Sequence, residues 1–164
     1  MNIVEEINKI YQKNKKINLF LDMDGTIIEL LFDSEETYLK KGKYLNKKPI
    51  KPIINKIKEI NKNFPLIKIN IISCSKTKYM IKEKNEWLNK YMPDIKRKRR
   101  IFLCEETGDY TQKSVNLVKA KYIKKSLKDN ELAILIDDDI RVLTAAKEII
   151  NDRILLFHVT SLLI

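Results

Sequence analysis

Glycine is scarce in this chain: three residues in 164, beside four prolines, two cysteines, one histidine and one tryptophan. So little glycine and proline excludes collagen-like and flexible low-complexity architectures. Cys74 and Cys104 are too few for a disulfide framework, and with His158 as the lone histidine no zinc-ligand spacing can be written. No apolar run approaches the roughly 18 residues that a membrane span needs. The opening MNIVEEINKIYQKNKK carries acids early and has no apolar centre, so no secretory leader is expected. These absences lead us to expect a cytoplasmic, reduced protein with no membrane partner. Internal repeats and Gly/Ser linkers are also missing, so one domain over residues 1–164 is expected.

What is present is charge and aliphatic bulk. Hydrophobic residues make up 44% of the chain and charged residues 34%, with a net charge of +11, as a folded domain with a real core requires. Lysines are spread along the whole length, and only Lys96-Arg97-Lys98-Arg99-Arg100 forms a dense block. A Lys-, Ile- and Asn-rich composition accounts for that spread more simply than a nucleic-acid footprint does. In either case a positive surface favours anionic, phosphate-bearing substrates.

Hydrophobic periodicity divides the chain into alternating elements. Ile3, Ile7, Ile10 and Tyr11 recur at helical spacing over residues 3–14. Ile17 to Leu21 reads as a buried strand that stops abruptly at Asp22. Residues 27–48 look irregular; Pro49 and Pro52 then open a helix to about Asn61. A second strand runs from about Ile67 to Ile72 and ends in Ser73-Cys74-Ser75. A helix from about Lys76 to Tyr91 turns Met80, Trp87 and Leu88 toward a core. Strands are expected at Ile101–Leu103, Leu132–Ile136 and Arg153–Val159, with helices over about 112–127 and 141–150. Such alternation predicts βαβ units, a parallel sheet and helices on both faces. In such sheets ligands bind beyond the carboxyl ends of the strands.

Acids gather at those ends. Asp22-Met23-Asp24-Gly25-Thr26 follows the first strand, and Asp137-Asp138-Asp139 follows the fourth. Two carboxylates two residues apart can divide labour, one attacking phosphorus and the other protonating the leaving oxygen. By average residue usage, D-x-D-G-T arises in a chain of this length on the order of once in a thousand. Read alone, Asp137 to Asp139 could equally be an N-cap run for the next helix.

Asp22 to Thr26 resemble motif I of the haloacid dehalogenase (HAD) superfamily of phosphohydrolases. Ser73 resembles its motif II, with Ser75 as nearest rival, and Asp137-Asp138 resemble motif IV. The likeness runs from about Ile17 to His158. It implies a three-layer, Rossmann-like (HAD-like) α/β fold with about five parallel strands and no large cap domain. It further implies Asp22 as nucleophile, Asp24 as acid and base, and Mg²⁺ held by Asp22, the backbone carbonyl of Asp24, and Asp137 or Asp138. Gly25, Thr26, Ser73, Cys74 and a motif III lysine would surround the phosphoryl group. Lys119 is chosen for that lysine, with Lys121 and Lys113 as alternatives.

Residues 28–48, with Phe32, Tyr38, Tyr44 and Lys47, would line the entrance as a small cap. Gly42-Lys43-Tyr44-Leu45 before Pro49 loosely resembles the deoxyribonucleotidase-like (5′-nucleotidase, C-type) branch. The expected partner is therefore a small phosphorylated substrate, with nucleotides among the candidates. A nucleic-acid end is a rival substrate, drawing on the basic block, and a catalytically silent binding subunit is a rival of another class. Cys74 and Cys104 read as buried small hydrophobes, and Trp87 and Met80 as core.

Overall fold

The structure, a computed structural model, describes residues 2–14, 16–30 and 40–164. Phe32 and Tyr38, expected at the entrance, lie outside the described residues. Helix α1 (Ile3–Lys13) starts where Asn2 accepts a hydrogen bond from the amide of Val4 and carries Glu5 and Glu6 in its first turn. Strand β1 (Ile17–Leu21) follows, then helix α2 (Lys51–Asn63) and strand β2 (Lys68–Ser75). Helix α3 (Lys78–Tyr91), strand β3 (Arg100–Cys104), helix α4 (Val115–Ser126), strand β4 (Leu132–Asp137), helix α5 (Ile140–Ile150) and strand β5 (Ile154–His158) complete the order.

The five strands form one parallel sheet in the order β3-β2-β1-β4-β5. The chain therefore winds outward from β1 through β2 to β3, then returns to place β4 on the other side of β1. The winding reverses between β1 and β4, the place where such sheets leave a crevice at their carboxyl ends. Asp22 lies just past the end of β1 and Asp137 is the last residue of β4, so the reversal brings both acids to that crevice. The amide of Asp22 donates to the carbonyl of Ile136 at 3.0 Å, extending the ladder to the nucleophile candidate itself.

Side-chain alternation explains why the strands read as continuous apolar runs. Leu19, Leu21, Ile134 and Ile136 face a core shared with α1, α2 and α3, including Ile53, Ile57 and Trp87. Phe20, Ala133 and Leu135 face the opposite core, packed with Ala120, Ile123, Val142 and Ala146 of α4 and α5. Both faces are covered, so both alternating sets must be apolar. Among the described residues no helix is long and apolar enough to cross a membrane.

Three details differ from expectation. β2 continues through Ser75, because Ser73, Cys74 and Ser75 pair with Phe102, Leu103 and Cys104 of β3. Pro49 stays outside α2, since Ile28 forms an antiparallel bridge with it, and Pro52 alone occupies the first turn. α4 begins at Val115, after a turn in which the Ser114 hydroxyl accepts from the amide of Thr111.

A short segment connects β1 to α2 beside the crevice. Its ends are tied together: the amide of Ile50 donates to the Ile27 carbonyl at 2.8 Å and that of Glu29 to the Lys48 carbonyl at 3.0 Å. Trp87 fastens it to α3 by donating from Nε1 to the Lys47 carbonyl at 3.0 Å. Trp87 is also 1% exposed, so its truncation removes both core volume and that bond. Trp87→Ala is expected to lower unfolding free energy by about 3–5 kcal/mol, read from a urea melt.

Candidate active site

The carboxyl end of β1 leads directly into a tight turn. The Met23 carbonyl accepts from the amides of Thr26, Ile27 and Ile28, and Gly25 takes a φ of +78° that other residues rarely adopt. A Cβ at Gly25 would sit 2.3 Å from Asp138 Oδ2, so glycine also admits the Asp138 carboxylate against the turn. The turn leaves Asp22 and Asp24 on the crevice, Asp22 buried and Asp24 partly exposed.

Lys119 binds the acids of the two central strands together. From α4 its ammonium donates to Asp22 Oδ1 at 2.6 Å and to Asp137 Oδ2 at 2.7 Å. This distinguishes the three lysine candidates: Lys119 reaches the acids, whereas Lys113 and Lys121 are exposed. The second oxygen of Asp137 accepts from the amide of Asp139 at 2.9 Å. Asp139 in turn caps α5, accepting from the amide of Arg141. The acidic run thus divides, with Asp139 capping the helix and Asp137 and Asp138 lining the crevice. Thr26 Oγ1 donates to Asp22 Oδ2 at 3.4 Å.

Electrostatics separate the two acids of the turn. Burial pushes Asp22 up to about 7, reinforced by Asp137 and Asp24 and opposed by Lys119. Burial works against the charge of Asp24 as well, but Lys84, Tyr44 and Lys47 outweigh it and hold that carboxyl below its ordinary range. Lys84 Nζ donates to Asp24 Oδ2 and the Tyr44 hydroxyl to Asp24 Oδ1, both at 2.8 Å, with Lys47 Nζ 3.9 Å from Oδ1. Burial also opposes the charge of Lys119, yet Asp22 and Asp137 overcome it and push its pKa up. Asp138 rises to about 6 through burial and the proximity of Asp22.

Ser73 and Cys74 occupy different positions at the end of β2. Ser73 is fully covered, and its hydroxyl accepts from Lys84 at 2.8 Å. Cys74 lines the opening with Asp22, Asp24, Lys119 and Asp138, a hollow of about 290 Å³. Burial pushes the Cys74 thiol up to about 11, which keeps it protonated and disqualifies it as a nucleophile at neutral pH. Cys104 is buried, as expected. Two larger hollows of about 420 Å³ lie at the amino ends of the strands, and neither brings a nucleophile, a base and a buried cation together.

Lys84 is the residue that the sequence reading missed. It is fully buried on a stripe of α3 formed by Met80, Trp87 and Leu88. A Glu83-Lys84 pair set among Met80, Trp87 and Leu88 on the buried face was the available signal. Tyr44 and Lys47, read as entrance residues, meet Asp24 from the segment before α2. His158 closes the site from β5: its Nε2 lies 3.0 Å from the Asp138 carbonyl, while Nδ1 faces the amide of Thr160. The basic block lies elsewhere. Lys96 to Arg100 stand at the amino end of β3, so the length of a strand, roughly 17 Å, separates them from the acids. Arg100 is occupied there, donating to the Ile95 carbonyl and to Asn85 and Asn89.

The oxygen set fits a small hard cation. Asp22, Asp137 and Asp138 each offer an oxygen, all within 4.8 Å of one another. Three carboxylates face one ammonium here, and burial, with the neighbouring acids adding to it, raises Asp22 and Asp138.

No protein-family model matches the chain, and no curated protein matches its sequence. Solved structures do match it. A chain of the Pnkp1/Rnl/Hen1 RNA repair complex is 17% identical, with a TM-score of 0.63 over 87% of this chain and 42% of that one. The HAD domain of the effector protein Lem4 from Legionella pneumophila is 18% identical, with a TM-score of 0.52 and 88% of each chain covered. An inactive mutant of that domain gives a TM-score of 0.56 at 17% identity, over 87% of this chain and 84% of the other. This chain therefore spans less than half of the repair-complex chain it resembles. The fold is HAD-like, as the acidic motifs led us to expect.

A divalent cation held by this oxygen set would need Asp22 and Asp138 as carboxylates, so protons would leave as it binds. Both groups hold their protons to higher pH than ordinary aspartates. Mg²⁺ affinity measured by calorimetry should thus strengthen from pH 5 to about 7.5 and level off above, with proton release falling over the same range.

Proposed function

We propose that the chain, acting as one hydrolase domain over residues 1–164, is a Mg²⁺-dependent phosphohydrolase that cleaves phosphate monoesters through an aspartyl-phosphate on Asp22. One observation carries the reading: Lys119 joins Asp22 to Asp137 at the sheet's reversal point, with Asp138 completing an oxygen cluster beside them. The HAD-like fold supports it, since the same acids stand where that fold gathers ligands.

Asp22, Asp137, Asp138 and the main-chain carbonyl of Asp24 would hold the ion. Bound there, it offsets the charge of the carboxylates and of the anionic ester, which would otherwise repel the nucleophile. The chain's own groups do the rest. An oxygen of Asp22 bonds to phosphorus as the ester P–O bond breaks, and the leaving oxygen takes a proton through Asp24, whose carboxylate, ionised at rest, first collects it from the monoanionic ester. A water molecule then gives a proton to Asp24 and attacks the phosphorus, releasing phosphate and restoring Asp22. Lys119 steadies Asp22 and offsets charge on the phosphoryl oxygens in the transition state. Ser73, covered and joined to Lys84, supports the end of β2 against which we seat the phosphoryl group. Gly25, Thr26 and Cys74 shape the floor and wall of that seat.

Free thiols at Cys74 and Cys104 suit a reducing, cytoplasmic setting. A small ester, with nucleoside monophosphates as first candidates, suits an opening of about 290 Å³. A polynucleotide end as substrate draws support from the likeness to a repair-complex chain, which is likeness of fold. The placement of Lys96 to Arg100 speaks against it, because that block does not flank the acids. A silent binding subunit is the poorer reading, because nucleophile, acid, lysine and cation ligands are all present together.

Phosphate release from a panel of esters, including nucleoside monophosphates and 5′- and 3′-phosphorylated oligonucleotides, separates these readings. We expect release with Mg²⁺, none with EDTA, and background rates for Asp22→Asn at unchanged circular dichroism. Wild-type rates in Asp22→Asn would sink the mechanism.

A further inference from the structure

Lys84 lies outside the motifs and is still the most completely enclosed cation at the site, with none of its side chain exposed. An ammonium has three protons to donate and nothing to accept. Its three acceptors, Asp24 Oδ2, Ser73 Oγ and the Cys74 carbonyl, each lie at 2.8 Å. Two of these belong to the end of β2, so the sheet itself holds the ammonium in place, and the ammonium holds Asp24. Of its neighbours on this face Met80, Trp87 and Leu88 are apolar, and the buried carboxylate of Glu83 is engaged by the amide of Gly42. A buried ion pair is also a weak source of stability compared with apolar side chains of the same size.

The other oxygen of Asp24 is fixed from a different element. Tyr44 donates to Oδ1, and its ring lies 5.2 Å from Lys84 Nζ. Tyr44 belongs to the segment before α2, which α3 grips through Trp87 at the Lys47 carbonyl and through Glu83 at the amide of Gly42. Both carboxylate oxygens of Asp24 are thus held, one directly from α3 and one from a segment that α3 itself grips, which restricts the orientation of the side chain.

We propose that Lys84, seconded by Tyr44, is a positioning residue that aims the Asp24 carboxyl group at the leaving oxygen of the substrate. This rests on the phosphohydrolase reading and assigns a residue to its proton-transfer step. An acid that is misaimed matters most where the leaving group is a strong base. An alkoxide leaving from an alkyl phosphate needs the proton, whereas 4-nitrophenolate leaves without it. A purely structural lysine would slow both reactions alike.

The test compares kcat/KM, which reports steps up to departure of the leaving group, for an alkyl phosphate and for 4-nitrophenyl phosphate. Wild type, Lys84→Met, Tyr44→Phe and Asp24→Asn are measured with Mg²⁺, with thermal midpoints as a folding control. General acid catalysis contributes about 10²–10⁴-fold. Lys84→Met should therefore lose about 100-fold on the alkyl ester and less than about tenfold on the aryl ester, in the pattern of Asp24→Asn, with Tyr44→Phe showing the same bias more weakly. Should Lys84→Met not fold, Lys84→Gln takes its place. Equal losses on the two esters, beside a selective loss in Asp24→Asn, would overturn the role of Lys84 and leave the hydrolase standing. A folded wild type that hydrolyses neither these esters nor any in the panel would overturn both.

Discussion

The ammonium of Lys119 is what allows this site to exist. The winding of the sheet forces the ends of β1 and β4 side by side, and each delivers a buried aspartate to the same place. Two carboxylates without water repel one another and resist ionisation. Lys119, reaching from α4 with hydrogen bonds of 2.6 and 2.7 Å, turns that repulsion into a bridged triad. Burial still raises Asp22 and Asp138 despite the bridge. Three carboxylates against one ammonium leave a set of oxygens that fits a doubly charged cation.

Two residues further along, the same side chain meets the opposite environment. Asp24 stands among Lys84, Tyr44 and Lys47 and is held below the usual carboxylate range, while Asp22 is lifted to about 7. The two neighbouring carboxyl groups therefore differ in proton affinity, Asp22 keeping its proton to higher pH than Asp24. The separation comes from direction. Asp22 faces the acids of β4, whereas Asp24 faces the lysine-bearing side of α3 and the segment leading to α2.

Much of this was legible in the chain before any coordinates. Strands buried on both faces leave continuous apolar runs, and Leu19 to Leu21 and Ile134 to Ile136 showed where β1 and β4 end and where their acids begin. Element boundaries were less visible where neighbours decide them. β2 runs on through Ser75 because β3 pairs with it there, and no local pattern carries that information. The choice of Lys119 over Lys113 and Lys121 rested on likeness to a family pattern, and its contacts with Asp22 and Asp137 now supply a geometric reason. Lys84 escaped because a long-range partner explains it: its hydrogen bonds span 60 positions to Asp24 and 11 to Ser73. The basic block was visible as composition, but which end of β3 it would occupy relative to the acids became clear only with the strand order.

The pairing of residues 27–29 with residues 48–50 has a consequence for how this protein could diversify. The chain leaves the sheet region and re-enters it through one narrow neck, like thread through a closed clasp. The entropy of closing the stretch between grows only slowly with its length. Lengthening it would cost the clasp and the sheet little, so long as Tyr44 and Lys47 still reach Asp24 from its second half.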